Sequence, residues 1–375
     1  MFRIALKFLR FDRPKTLGAL FGCIISVFLI GQQCGIFIFL TQAISCYVRN
    51  NDQYIWITDA QTTNANALVP LDMRISRELA SVKGVSKVYP IVIAGASAKF
   101  ADGTVGNLSL FGVQPPEFVG GLWNLDADTK ARDLLQDGAV FTDYFDRKLF
   151  GDAVRGEYFE LNGNKVFIAG NTKGNRSFGG GAIGFTTIER ARAITKLSNN
   201  KASAFLVTWQ PDLPQSEVIA NIKASISSVN AWNGKDLTQS TIITVLKSSG
   251  IAISFGTLIF FALIVGFVII GLTLYSSAID RIKDYGTLKA IGATNGYVRK
   301  LIVTQALIVA VVGFVIGTAL VEGFRNGIAK AGTLFDYPLW LRFVFFGITI
   351  FIAVMGSMFA IKRIVSLEPA QVFRG

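Results

Sequence analysis

Histidine is absent from the 375 residues, and cysteine occurs three times, at Cys23, Cys34 and Cys46. Without imidazole there is no Ser-His-Asp or Cys-His catalysis and no His-ligated zinc. No cysteine follows Cys46, so the remainder of the chain has no pair to oxidise, and a disulfide framework is excluded. Charge is scarce as well: 17% of residues are Asp, Glu, Lys or Arg, against about 25% in soluble domains. The charges are missing above all from four runs, Gly18–Leu40, Ile251–Tyr275, Leu301–Val321 and Phe343–Ile361, which contain none. At about 1.5 Å rise per residue each run is near the length that crosses a ~30 Å hydrocarbon core. The first follows a basic N-terminus, as a signal peptide would. It is too long for an h-region and lacks a clean small-residue cleavage site, so it is expected to stay as a span.

What charge there is has a strong polarity. The net charge is +12, yet residues 46–246 hold 20 basic and 19 acidic residues. The excess therefore flanks the spans: Arg3, Lys7, Arg10, Arg13 and Lys15 ahead of the first, Arg281, Lys283, Lys289, Arg299 and Lys300 after the second, and Lys362, Arg363 and Arg374 after the fourth. Positive residues near span ends are retained in the cytoplasm. Both termini and the 276–300 loop are thus expected inside, and residues 41–250 and 322–342 outside. The basic balance reads as topology, not as nucleic-acid binding.

The expected organisation is an amphipathic cytoplasmic helix over 1–15, a first span over 16–44, an outer α/β domain over 45–235 and a stalk over 236–250 that continues into the second span over 251–275. A cytoplasmic loop over 276–300, spans over 301–321 and 343–361 separated by an outer loop at 322–342, and a tail over 362–375 complete it. Within the outer domain, strands are expected near Tyr54–Ile57, Val85–Ala94, Ala96–Phe100, Val105–Val113, Ala139–Thr142 and Phe205–Trp209. Helices are expected over Asp72–Ser81 and Leu213–Ile226, with a further one through Leu149 capped by Asp143. Asn162-Gly163 between Tyr158–Leu161 and Lys165–Ala169 signals a type I′ hairpin. A turn is expected at Ala101–Thr104 and a mobile loop over Asn171–Gly181.

No phosphate-binding loop of the G-x-x-x-x-G-K-[ST] form is present, and Gly170–Ser177 fails the pattern. Any ATP hydrolysis must come from a separate subunit. The spans contain no ionisable residue, which gives no support to a proton- or sodium-driven carrier. Gly18/Gly22, Gly31/Gly35 and Gly313/Gly317 have the small-xxx-small spacing that lets helices approach closely, within one chain or between two. Gln32 and Gln33 lie mid-span, suited to interhelical hydrogen bonding or to lining a substrate path.

The strongest motif is Ala278–Tyr297, in which Asp284, Gly286, Leu288, Lys289, Ala290, Ile291, Gly292 and Ala293 stand in the order acidic, Gly-x-Leu-basic-Ala-aliphatic-Gly-Ala. This stretch resembles the signature of the FtsX/MacB family of ABC-transporter permeases, apart from Asp284, where that family commonly has Glu. Phe28–Phe39 and the tail Glu368–Gly375 are similar to its DevC-like branch. The resemblance implies a type VII permease: an α-helical membrane protein with four transmembrane helices plus an α/β extracytoplasmic, MacB-like periplasmic core domain, in a bacterial inner membrane. It implies no cofactor on this chain, with ATP and magnesium in a cytoplasmic ABC ATPase subunit. That subunit would dock on Asp284, Tyr285, Gly286, Thr287, Leu288, Lys289, Ala290, Ile291, Gly292 and Ala293, with Tyr285 and Leu288 as apolar anchors in a charged rim. It further implies a homodimer, mechanotransmission from ATPase to outer domain, and export of a hydrophobic or amphiphilic molecule with a periplasmic adaptor and outer-membrane channel. Two other readings stay open: an FtsX-type regulator of a periplasmic hydrolase, and a membrane-anchored receptor or enzyme.

Overall fold

The computed structural model describes the chain apart from residues 101, 102, 104, 151, 152, 176, 178–181, 330–336 and 367–375, and for 148–150 the backbone alone. Parts of the turn at Ala101–Thr104, of the 171–181 loop and of the 322–342 loop, and the whole of the Glu368–Gly375 motif, lie outside the described residues. The chain divides into two units, a helical one comprising Met1–Ile38 with the described residues from Ile251 onward, and a sheet-bearing one over Phe39–Gly250.

Helix α1 (Phe2–Phe11) carries its apolar residues on one stripe and buries Ala5 and Leu9. The chain turns at Asp12 into α2 (Arg13–Ile44), the first candidate span. Pro14 falls in its first turn, where the missing N–H costs nothing. The turn is fastened by Thr16 Oγ1 donating to the Leu9 carbonyl at 2.7 Å.

The sheet unit opens with the short helix α3 (Cys46–Arg49), then β1 (Ile55–Asp59), β2 (Leu71–Asp72), α4 (Arg74–Ala80), β3 (Val85–Lys99) and β4 (Val105–Val113). A 3-10 turn at Ala131–Leu135 leads to β5 (Ala139–Asp143) and a second 3-10 stretch at Tyr144–Phe150. Then come β6 (Tyr158–Leu161), β7 (Asn164–Thr172), β8 (Ala182–Thr187), α5 (Ile188–Thr195), β9 (Lys201–Ala202), β10 (Ala204–Trp209), α6 (Gln215–Ser225), β11 (Val229–Asn233) and α7 (Gly234–Ser249). Nine strands form one sheet in the order β11-β1-β10-β3-β4-β8-β5-β7-β6. Among the described residues, only β4–β8 and β5–β7 are parallel pairs. Ala98 and Lys99 at the end of β3 also pair with β6, so the six strands from β3 to β6 close into a ring. Strand alternation divides the core: on β4, Leu108 and Leu110 enter one cluster and Phe111 and Val113 another. Beside the open ladder, Ile75 and Leu79 of α4 and Val218 and Ile222 of α6 bury against Ile55, Ile57 and Phe205.

Several local expectations change. The two strands read across Val85–Phe100 are one strand of 15 residues, whose first half pairs with β10 and second half with β4. Asp143 does act as a cap, its Oδ1 accepting from Phe145 N at 3.0 Å, but the segment it caps is a 3-10 stretch. The hairpin forms as expected, with Asn162 and Gly163 at φ 47° and 80°. The loop after β7 is tied down where it is described: Asn175 is buried, its amide donates to Asp143 Oδ2 at 2.8 Å, and its side chain donates to the Trp123 carbonyl at 3.1 Å. The strand β11 was not expected from the sequence, being five residues with only Val229 and Ala231 fully buried.

The segment expected as a stalk is α7, and it is not a free lever. Leu237, Thr241 and Val245 are buried, Thr241 Oγ1 accepts from Ala65 N at 3.0 Å, and Ser240 Oγ donates to the Thr63 carbonyl at 2.8 Å. The helix stops at Gly250, whose φ of +67° is a left-handed cap. The expected helical continuity into the second span is therefore broken there.

The chain then returns to the helical unit with α8 (Ile251–Asp280), α9 (Ile282–Ala290), α10 (Asn295–Ala329) and α11 (Leu339–Val365). With α2, three of these (α8, α10 and α11) are long and apolar enough to span a membrane.

Candidate functional site

The residues singled out between the second and third spans form α9 and the turn that ends it. Asp284 sits in the first turn, where a carboxylate favours the helix dipole, and lies 3.8 Å from Arg281. Arg281 in turn covers the rings of Phe8 and Phe11 of α1, 5.0 and 5.5 Å from their centroids. Tyr285 is 2% exposed. Its ring lies 5.4 Å from that of Phe8, and its hydroxyl accepts from Gln305 Nε2 of α10 at 3.4 Å. Gly286 is buried beside it, and Leu288 is half-buried against the same core. Lys289 donates to the Ile364 and Val365 carbonyls at 3.1 and 2.9 Å, capping the end of α11. Partial burial there pulls its ammonium below the ordinary lysine value.

The Gly-Ala pair that closes the motif has a backbone explanation. Gly292 takes φ +102°. Ala293 N donates to Leu288 O at 2.9 Å and Gly292 N to Lys289 O at 3.0 Å, the two crossed bonds of a Schellman stop. Thr294 then starts α10, its hydroxyl accepting from Tyr297 N at 3.2 Å. Five of the ten expected contact residues are thus held by the bundle or by the turn: Tyr285, Gly286, Leu288, Lys289 and Ala293. Tyr285 is the correction, since its ring points into the helical core and offers no anchor to a partner, whereas Leu288 is half-buried against that core. Thr287, Ala290, Ile291 and Gly292 are exposed, and Ile291 is 77% exposed, a large apolar side chain at the tip of the turn. Helical spacing alone could not tell which apolar residue of α9 faced inward, because the partner face is set by α1 and α10.

The ends of α1, α2 and α8 are also fastened together. Lys15 pairs with Asp280 and donates to the Ser276 carbonyl, and Ser277 Oγ donates to Asp12 at 2.8 Å.

The expected helix-packing glycines meet neighbours in the same chain. A Cβ at Gly22 would fall 2.2 Å from Ile269 and one at Gly18 3.3 Å from Thr273, both on α8. One at Gly31 would fall 2.7 Å from Val321 of α10, and those at Gly313 and Gly317 2.5 and 2.8 Å from Cys23 and Val27 of α2. Gly35 is buried on α2. The close approaches are those of α2 to α8 and α10. Gln32 and Gln33 are half-buried on α2.

Four helices long and apolar enough to cross a membrane, with an α/β domain inserted in the chain between the first two, define the class as a polytopic membrane protein. Residues 256–369 match the FtsX-like permease C-terminal family. Two uncharacterized ABC transporter permeases of Mycobacterium tuberculosis, from strains CDC 1551 and H37Rv, are each 32% identical over 117 residues. The aligned stretch covers 30% of this chain and 31% of theirs, so it spans under a third of those relatives. Among solved structures, the extracellular domain of the noncanonic ABC-type transporter YknZ aligns with 48% of this chain and 100% of its own, at 15% identity and TM-score 0.36. The periplasmic region of MacB from Actinobacillus actinomycetemcomitans aligns with 51% of this chain and 92% of its own, at 11% identity and TM-score 0.37.

Proposed function

We propose that this chain is the membrane subunit of an ABC transporter whose ATP is hydrolysed by a separate cytoplasmic ATPase docked on the α9 turn. The observation that carries the reading is α9 itself. It is held on one side by Tyr285 and Lys289, and it presents Ile291 and Thr287 on the other. A rigidly held helix with an exposed apolar tip can pass a push from a partner into the spans. The basic flanks support a reading in which this turn and both termini lie in the cytoplasm of a bacterial inner membrane and the sheet unit in the periplasm. In this reading two copies work as a homodimer and transmit motion to the periplasmic domains. The cargo is a hydrophobic or amphiphilic molecule handed to an adaptor and an outer-membrane channel. The DevC-like assignment belongs to the same proposal.

The test is co-purification with the ATPase encoded beside it. A stable complex with ATP turnover should form with the wild-type chain, and Ile291→Asp should abolish both while leaving the chain folded. Wild-type binding by Ile291→Asp would overturn the docking assignment. An FtsX-type regulator would show the same ATPase complex but a division or lysis phenotype in place of an export defect.

A further inference from the structure

A groove between α8 and α11 combines apolar walls with a cationic end. The two helices run in the same direction, since α9, which follows α8, reaches the last carbonyls of α11 through Lys289. They meet where Gly271 faces Gly356. A Cβ on Gly271 would lie 3.2 Å from the Gly356 carbonyl oxygen, and one on Gly356 3.1 Å from the Gly271 nitrogen. Beside that crossing lies an open cavity of about 620 Å³. Its walls are Val268 and Leu272 of α8, 50% and 65% exposed, and Phe359 of α11, 55% exposed. Toward the helix ends the same groove is lined by Tyr275, Lys362 and Arg363. Positions 268, 272 and 275 form one stripe of α8, and 359, 362 and 363 one stripe of α11. From Val268 to Tyr275 the groove runs about 10 Å along α8, within one leaflet of a ~30 Å core.

Lys362 and Arg363 are exposed and make no ion pair among the described residues. An uncharged acyl chain would need no cations here, and a soluble anion would need no apolar walls. The chemistry that uses both is an amphiphile with an anionic head, and basic pockets between membrane helices recognise such headgroups. We propose that this groove binds an anionic phospholipid of the leaflet facing the basic loops. Lys362 and Arg363 hold its phosphate, Tyr275 sits at headgroup depth, and an acyl chain lies along Val268, Leu272 and Phe359. Such binding requires only that α8 and α11 span a membrane, and it is independent of ATPase docking.

The test is native mass spectrometry of the full chain in detergent with equimolar phosphatidylglycerol and phosphatidylcholine. Phosphatidylglycerol should be retained preferentially, at roughly fivefold for each cation engaged. Lys362→Gln combined with Arg363→Gln should bring the two lipids to equal retention. Leu272→Trp, which fills the groove and keeps both charges, should lower retention of phosphatidylglycerol without touching the cations. Equal retention of both lipids by the wild type, or an undiminished preference in the double variant, would overturn the proposal. So would displacement of the lipid by millimolar inorganic phosphate, which would mark a head-group site with no use for the walls. A dimer that forms only as lipid leaves would assign the groove to a second copy and overturn it too.

Discussion

Removing the Tyr285 side chain and altering the Ile291 side chain should have opposite consequences, although the two are six residues apart, one on α9 and the other at its C-terminal cap. Tyr285 is 2% exposed and touches α1 through Phe8 and α10 through Gln305. Its truncation to Ala removes a ring from a packed core, a change that costs about 3–5 kcal/mol for large aromatic side chains. Tyr285→Phe keeps the ring and loses one long hydrogen bond, at 3.4 Å, which should cost about 1 kcal/mol. Ile291 is 77% exposed, and a surface substitution there should stay within about 0.5 kcal/mol. The assay is unfolding of the detergent-purified chain followed by far-ultraviolet circular dichroism, paired with ATPase co-elution. Tyr285→Ala should lower the unfolding midpoint most and Tyr285→Phe slightly. Ile291→Asp should leave the midpoint in place and lose the ATPase. A wild-type midpoint for Tyr285→Ala, or an equal loss of stability in Ile291→Asp, would refute the inward and outward assignment of the two faces.

Two further predictions concern the sheet unit, which holds four of the five tryptophans and is therefore the main source of intrinsic fluorescence. A Cβ at Gly234 would fall 2.5 Å from both the Cα and the carbonyl oxygen of Asp52, whereas one at Gly95 meets nothing within 4 Å. Gly234→Ala should therefore cost about 1–3 kcal/mol by overpacking against backbone, and Gly95→Ala should be neutral or stabilise by up to about 1 kcal/mol; denaturant midpoints read by fluorescence separate them. Asp143 is buried, with Thr172 Oγ1 and the Asn175 amide donating to Oδ2, and burial raises its carboxyl above the ordinary value. The folded state thus holds this proton to higher pH than the unfolded chain. The resulting stabilisation is complete below the unfolded value and fades as pH rises through the folded one. Asp143→Asn should flatten that part of the stability-against-pH curve, and an unchanged slope would show that another group sets it.

The sequence alone determined the four spans, because uncharged runs of 19 to 25 residues leave few alternatives to a bilayer. It also located the Asn162-Gly163 hairpin, because positive φ at two successive positions is a local demand that few residues meet. The closing Gly292-Ala293 stop is equally local, its backbone bonds being only three to five residues long, although the sequence showed the pair as part of a motif and not as a helix end. Other features depended on distant partners and could not be read in that way. Whether Tyr285 or Ile291 faced the core was decided by where α1 and α10 lie, and short helices carry too few turns to show an apolar stripe. The 15 residues of β3 read as two strands divided at Gly95, whereas the strand runs through that glycine and its pairing partner changes from β10 to β4 between Ile91 and Val92. The order of the sheet, and its closure through β3 and β6, joins residues some sixty positions apart. The glycine pairs were visible as spacings, but only tertiary packing assigned them to contacts within one chain, because small-residue spacing fixes how closely a helix can be approached and not which helix approaches it.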